Sequence, residues 1–222
     1  MKCNKCIPII LGAVLCLSSA ARSNITNGGF ETGDLTGWTA TRMVQAVGWE
    51  YARGSNPEPL TGWLPQEGNY FASLWTDDGF FSVTSTLSQT FDVESAGDTL
   101  SFEAFFDNGE WFEYGASDTA KAELFDSGGG LVRTFFQYDT VGMYDIAMND
   151  VDIPWTEYSY EFMAAGDDYT LMFTVSGDAL GGFESILGVD NVNIVPIPAP
   201  AALLLGSIGM GLVGLLRRRR VL

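Results

Sequence analysis

The chain has 222 residues with a hydrophobic fraction of 46% and an aromatic fraction of 13%, enough apolar material for one packed domain of ordinary size. The formal charge is −17, and all 28 acidic residues fall between Glu31 and Asp190, where only Arg42, Arg53, Lys121 and Arg133 oppose them; a surface this acidic repels phosphate backbones and excludes nucleic acid as a partner. Histidine is absent and Cys3, Cys6 and Cys16 all lie near the N-terminus, which excludes Ser-His-Asp and Cys-His catalysis, His-ligated zinc, and any disulfide in the body of the chain.

In chain order, residues 1–23 read as a secretory signal peptide. Lys2 and Lys5 form a positive start, Ile7 to Leu17 an apolar run, and Ser19-Ala20-Ala21 a small-residue cleavage site. Cys16 follows the bulky Leu15, which argues against a lipoprotein signal. Residues 24–194 form the domain. No window there sustains a helical period, whereas period-two alternation recurs. Leu100, Phe102, Ala104 and Phe106 share one face, as do Tyr169, Leu171, Phe173 and Val175. Tyr158, Tyr160 and Phe162 repeat the pattern, as do Ala120, Ala122 and Leu124. Further strands are predicted over 69–75, 81–93, 131–138 and 186–194. Turns are predicted at Ser95–Asp98, Ser127–Gly130 and Ala165–Asp168, the second closing a hairpin. The Pro- and Gly-rich stretch Gly48–Gly68 is predicted to be a long surface loop. Nine or ten strands without an intervening helix predict an all-β, antiparallel two-sheet sandwich.

The C-terminal part, 195–222, has three pieces in fixed order. Val195-Pro196-Ile197-Pro198-Ala199-Pro200 is proline-rich, Ala201–Leu216 is apolar or small, and Arg217, Arg218, Arg219 and Arg220 form a basic block. Sixteen helical residues span about 24 Å, slightly short of a hydrocarbon core, and snorkelling arginines close the gap. Four arginines after the span hold the tail in the cytoplasm and leave the acidic domain outside. This order resembles the PEP-CTERM sorting signal in its Val-Pro-x-Pro-Ala form, with Ile197 standing where the usual motif has Glu. The resemblance implies processing by an exosortase-type enzyme after export by the Sec machinery, in a Gram-negative envelope, and an association with exopolysaccharide. An ordinary C-terminal membrane anchor is the alternative.

The opening Asn27-Gly28-Gly29-Phe30-Glu31-Thr32-Gly33-Asp34-Leu35-Thr36-Gly37-Trp38 resembles the first strand of galactose-binding-like jelly rolls, including carbohydrate-binding modules, and Leu87–Phe91 and Leu187–Val192 stand where such modules have their matching strands. That resemblance implies a jelly-roll fold whose first and last strands lie close together. Glu31 and Asp190 would then approach at one edge, where two carboxylates and backbone carbonyls suit a structural calcium ion. The other reading is that Glu31 caps a turn and Asp190 binds backbone. Trp49, Trp63 and Trp111 fall outside the strand pattern and are candidates for a ligand-binding surface, exposed aromatic faces being able to stack on sugar rings; loop packing over the sandwich ends is the alternative. Asp107, Glu110 and Glu113 cluster, as do Asp77 and Asp78, but nothing marks an activated carboxylate pair. The sequence therefore predicts a non-catalytic surface or matrix protein, with a ligand-free structural component and a glycosidase-like enzyme as alternatives.

Overall fold

The structure, a computed structural model, describes residues 25–51, 62–76, 82–109, 117–142, 152–177 and 184–196. The strands are β1 (Thr39–Thr41), β2 (Val44–Val47), β3 (Glu50–Tyr51), β4 (Gly62–Trp63), β5 (Phe71–Trp75), β6 (Thr84–Val93), β7 (Thr99–Asp107), β8 (Thr119–Phe125), β9 (Leu131–Asp139), β10 (Ile153–Glu161), β11 (Gly166–Ser176) and β12 (Ile186–Val195). Ten of them form two five-stranded antiparallel sheets. Sheet one runs β1-β6-β11-β8-β9, sheet two runs β10-β7-β12-β5-β2, and β3 and β4 pair as a separate ribbon. From β5 onward the chain crosses between the sheets at nearly every connection. The all-β, two-sheet expectation holds; the expected terminal helices, the domain start at residue 24 and the limits of the sorting tail lie outside the described residues. Among the described residues no helix is long and apolar enough to cross a membrane.

The core sits between the sheets because alternation delivers one face of each strand to it. In β7, Leu100, Phe102, Ala104 and Phe106 are buried, as are Leu171, Phe173 and Val175 of β11. Phe102 stacks on Tyr158 (5.3 Å) and meets Phe173 (5.0 Å) and Phe135 (4.9 Å) edge-on, so both sheets share one aromatic centre. Ala120 and Ala122 on β8 leave room for these rings. Burying each large apolar side chain contributes about 1.5–3 kcal/mol. Asp126 caps the β8–β9 hairpin by accepting the Gly128 and Gly130 N–H groups (2.9 and 2.8 Å), as the glycine run predicts.

Three sequence expectations change. Residues 27–38 form no strand but a chain of turns, in which Asn27 and Phe30 adopt positive φ (51° and 55°) and Phe30 and Trp38 are buried against each other. The segment is tied down by Gln89, whose side-chain amide accepts from Thr26 N (2.7 Å) and donates to Thr26 O (2.9 Å) in imitation of a β-bridge. The Gly48–Gly68 stretch contains the β3–β4 ribbon, with Glu50 opposite Trp63. The Ala165–Asp168 turn begins earlier, at Met163, and Gly166 already pairs with Val93 before a bulge.

Candidate functional site

Strand register orders the outward side chains of sheet two into rows about 6.7 Å apart, two residues of strand rise. Across one row lie Gln45, Ser73, Gly188 and Phe105. In the next, Asp190, Glu103 and Glu157 stand directly opposite one another, followed by Asn193, Ser101 and Ser159.

The upper part of this face is aromatic. Phe71, Phe105 and Ile186 form a second buried cluster on which Val47, Trp63, Trp75 and Trp155 pack. Gly188 makes it possible: a Cβ there would overlap the Phe105 ring, so glycine lets that ring lie flat on the sheet. Trp63 stacks on Phe105 at 4.1 Å and 9°, and its Nε1 donates to Asp107 (2.6 Å). Trp155 meets Phe105 (4.7 Å) and Phe71 (5.6 Å) edge-on and donates to the Leu64 carbonyl (3.0 Å). On the solvent side, Trp49 is 52% exposed and lies against Gly62, and Leu64 is 60% exposed.

The lower part is a polar groove of about 510 Å³ lined by Glu67, Ser101, Glu103, Glu157, Asn191 and Asn193. Asn191 sits at a bulge with φ of 53°, from which its Nδ2 donates to Glu103 (2.7 Å). Beneath the groove wall, buried Asp190 accepts N–H groups from Gln66 (2.9 Å), Glu67 (3.3 Å) and Asn191 (2.7 Å). Burial pushes its carboxyl up to about 6; the three amides pull the other way, and the neighbouring Glu103 charge adds to the rise. Glu31 accepts from Asn69 N (2.8 Å), Tyr70 N (2.9 Å) and Asn69 Nδ2 (3.1 Å), and the two backbone amides hold it below the usual carboxylate range. Between these two clasped points, Gly68 has φ of 68°, and a Cβ there would overlap the Glu31 carboxylate.

Glu31 and Asp190 are thus brought to one loop, Gln66–Tyr70, and each lies near Gly29. They do not meet at a sheet edge: Asp190 belongs to the central strand β12. Both carboxylates accept from N–H donors, and among the described residues no group of three or more Cys, Asp or Glu is placed to hold a metal. Trp63, expected to pack poorly, is instead anchored in the second cluster. Asp107 is buried and receives the Trp63 indole; Glu110, Glu113, Asp77 and Asp78 lie outside the described residues, as does Trp111. Of the sorting motif, Val195 closes β12 opposite Thr99 and Pro196 follows it; Ile197, Pro198, Ala199 and Arg217, Arg218, Arg219 and Arg220 lie outside. Trp155, Glu67, Glu103 and Glu157 were not singled out from sequence. Glu103 and Glu157 did carry a signal, their outward phase against Phe102 and Ala104 and against Tyr158 and Tyr160.

No family model matches the chain, and no curated protein matches it. Several solved structures resemble it distantly. TmCBM61 in complex with β-1,4-galactotriose is 17% identical over 79% of this chain and 99% of its own, with a TM-score of 0.48. The K1 cleaved adhesin domain of Lys-gingipain from Porphyromonas gingivalis W83 is 11% identical over 77% of this chain and 96% of its own, with a TM-score of 0.44. A structure from carbohydrate-binding modules of the β-sandwich superfamily is 14% identical over 79% of this chain and 64% of its own, with a TM-score of 0.41.

Proposed function

We propose that this is an exported cell-surface or matrix protein, sorted by an exosortase-type enzyme, whose sandwich binds polysaccharide without turning it over. The observation that carries the binding is the outer face of sheet two, where a groove of carboxylates, amides and hydroxyls lies one strand row from Phe105 of the buried aromatic cluster, on whose solvent side the Trp49 ring is exposed. A pyranose has apolar C–H faces and a hydroxyl rim, so a site for it pairs aromatic surface with convergent polar groups. The non-catalytic part is supported by the placement of the described carboxylates. Glycosidases flank the scissile bond from two sides, whereas Glu103 and Glu157 stand side by side on one floor and Asp107 and Asp190 are buried.

The test is titration of the exported protein with its host's exopolysaccharide and with a glycan array. Saturable binding is expected, weakened at least about tenfold by Trp49→Ala and abolished by Ser101→Trp, which fills the groove. A folded protein that binds no glycan overturns the proposal. A structural calcium at Glu31 and Asp190 is a separate proposal, supported by two carboxylates converging on one loop; the ion would have to displace the N–H donors they now hold. Calcium should then raise the melting temperature of the wild type and not of Asp190→Ala, because a ligand of the folded state stabilises by mass action. A melt indifferent to calcium and chelator assigns the corner to the amide clasp alone.

A further inference from the structure

The groove's charge narrows the ligand, and this step rests on the glycan-binding reading above. Glu157, Glu103 and Asp190 stand in register across β10, β7 and β12, and like charges directly opposite one another destabilise a sheet. Asp190 is answered by three backbone amides and Glu103 by the Asn191 side chain. Glu157 and Glu67 stand exposed at the rim. Basic residues do not relieve them: of those described, Arg42 occupies the β1–β2 turn, and Lys121 and Arg133 lie on β8 and β9 of the other sheet, where Lys121 pairs with Glu123. A strand face that keeps three carboxylates on one side of a groove, without a cation among the described residues, is preset for a positively charged partner. A uronate entering it would meet like charge on floor and wall, a neutral sugar would find acceptors for its hydroxyls, and an ammonium group would gain attraction from Glu67, Glu103 and Glu157 together.

We propose that the groove selects amine-bearing saccharides, hexosamine residues with a free ammonium group, over their N-acetylated counterparts and over uronates. The experiment titrates the full exported protein with oligosaccharides of matched length on glucosamine and galactosamine backbones, in free-amine and N-acetylated forms, beside an oligouronate. The free-amine form is expected to bind about tenfold more tightly than its N-acetylated partner, with the gap narrowing as salt is raised. The double variant Glu103→Gln, Glu157→Gln keeps the groove's shape and should erase that gap. A control, Glu94→Gln with Asp167→Asn, removes two exposed charges away from the groove and should retain it. Equal or tighter binding of the N-acetylated form, tightest binding of the uronate, or loss of the preference in the control overturns amine selection while leaving glycan binding intact. Absence of saturable binding to every glycan overturns the glycan-binding reading itself and this inference with it.

Discussion

Asp190 sits in an environment at odds with its charge. It lies in the central strand of sheet two, buried, with Glu103 opposite, and its carboxyl is raised to about 6 although three N–H groups favour the charged form. The folded protein therefore holds a proton there at pH values where the unfolded chain has released it. By linkage, stability contributed by this group falls as pH rises from about 4 to about 6. Glu31 works in the opposite sense: its lowered value gives stability present above the unfolded range and lost as pH falls through it. Denaturant melts of wild type and Asp190→Asn at pH 4, 5, 6 and 7 isolate the first effect. The wild type should lose stability relative to the variant between pH 4 and 6, and a difference that stays constant over that range would refute the assignment. The sequence marks Glu31 and Asp190 as neighbours. It does not show what they hold, because most of the partners are main-chain N–H groups, those of Gln66, Glu67, Asn69, Tyr70 and Asn191, which no side-chain pattern records.

Among the elements, β7, β8 and β11 are legible from alternation because one face of each is core and the other polar. β1 is not, since Thr39, Ala40 and Thr41 are all exposed and carry no period. β10 changes phase at the bulge between Ile153 and Thr156, which keeps Ile153 on the core while Trp155 faces outward. The β3–β4 ribbon hides in a Pro- and Gly-rich stretch because each strand has two residues, too few for any period to register. Trp63 in the ribbon and Trp49 just before it differ in role. Trp63 stacks on Phe105 and bonds buried Asp107, so Trp63→Ala should cost about 3 kcal/mol, the low end of the range for packed aromatics. Trp49 is 52% exposed, and Trp49→Ala should cost under about 1 kcal/mol. Urea melts of the two variants decide the matter; equal costs would mean that both rings are structural and that the ribbon presents no contact surface.

At the scale of the whole molecule, the two sheets share a core and differ in what they show to solvent. Sheet one presents a hydroxyl ladder whose members satisfy one another, Thr41 with Thr86 (2.7 Å), Thr84 with Ser176 (2.8 Å) and Thr90 with Thr170 (3.0 Å). Sheet two carries the buried aromatic cluster, with Trp49 and Leu64 exposed on its solvent side, and the acidic groove. The proposed sorting motif follows directly on sheet two: β12 runs through its centre, Ile194 is 5% exposed and paired with Leu100, and Val195 pairs with Thr99. Pro196 has no N–H to continue the ladder, and the strand stops there. On the proposed function, a processing enzyme would meet this motif immediately after a paired central strand. A cut before Val195 would require unzipping residues bonded into the sheet, whereas a cut from Pro196 onward leaves that strand whole. Mass spectrometry of the protein recovered from the cell surface should show a chain that starts near Arg22, after loss of the leader at Ala21, and ends between Pro196 and Pro200. Neutral residues at Arg217, Arg218, Arg219 and Arg220 should leave the chain unprocessed and poorly retained, because the positive block fixes the orientation in which the enzyme reads the motif. A mature chain that still ends at Leu222 would rule out exosortase-type processing, and one that ends within β12 would show that the sheet opens before cleavage.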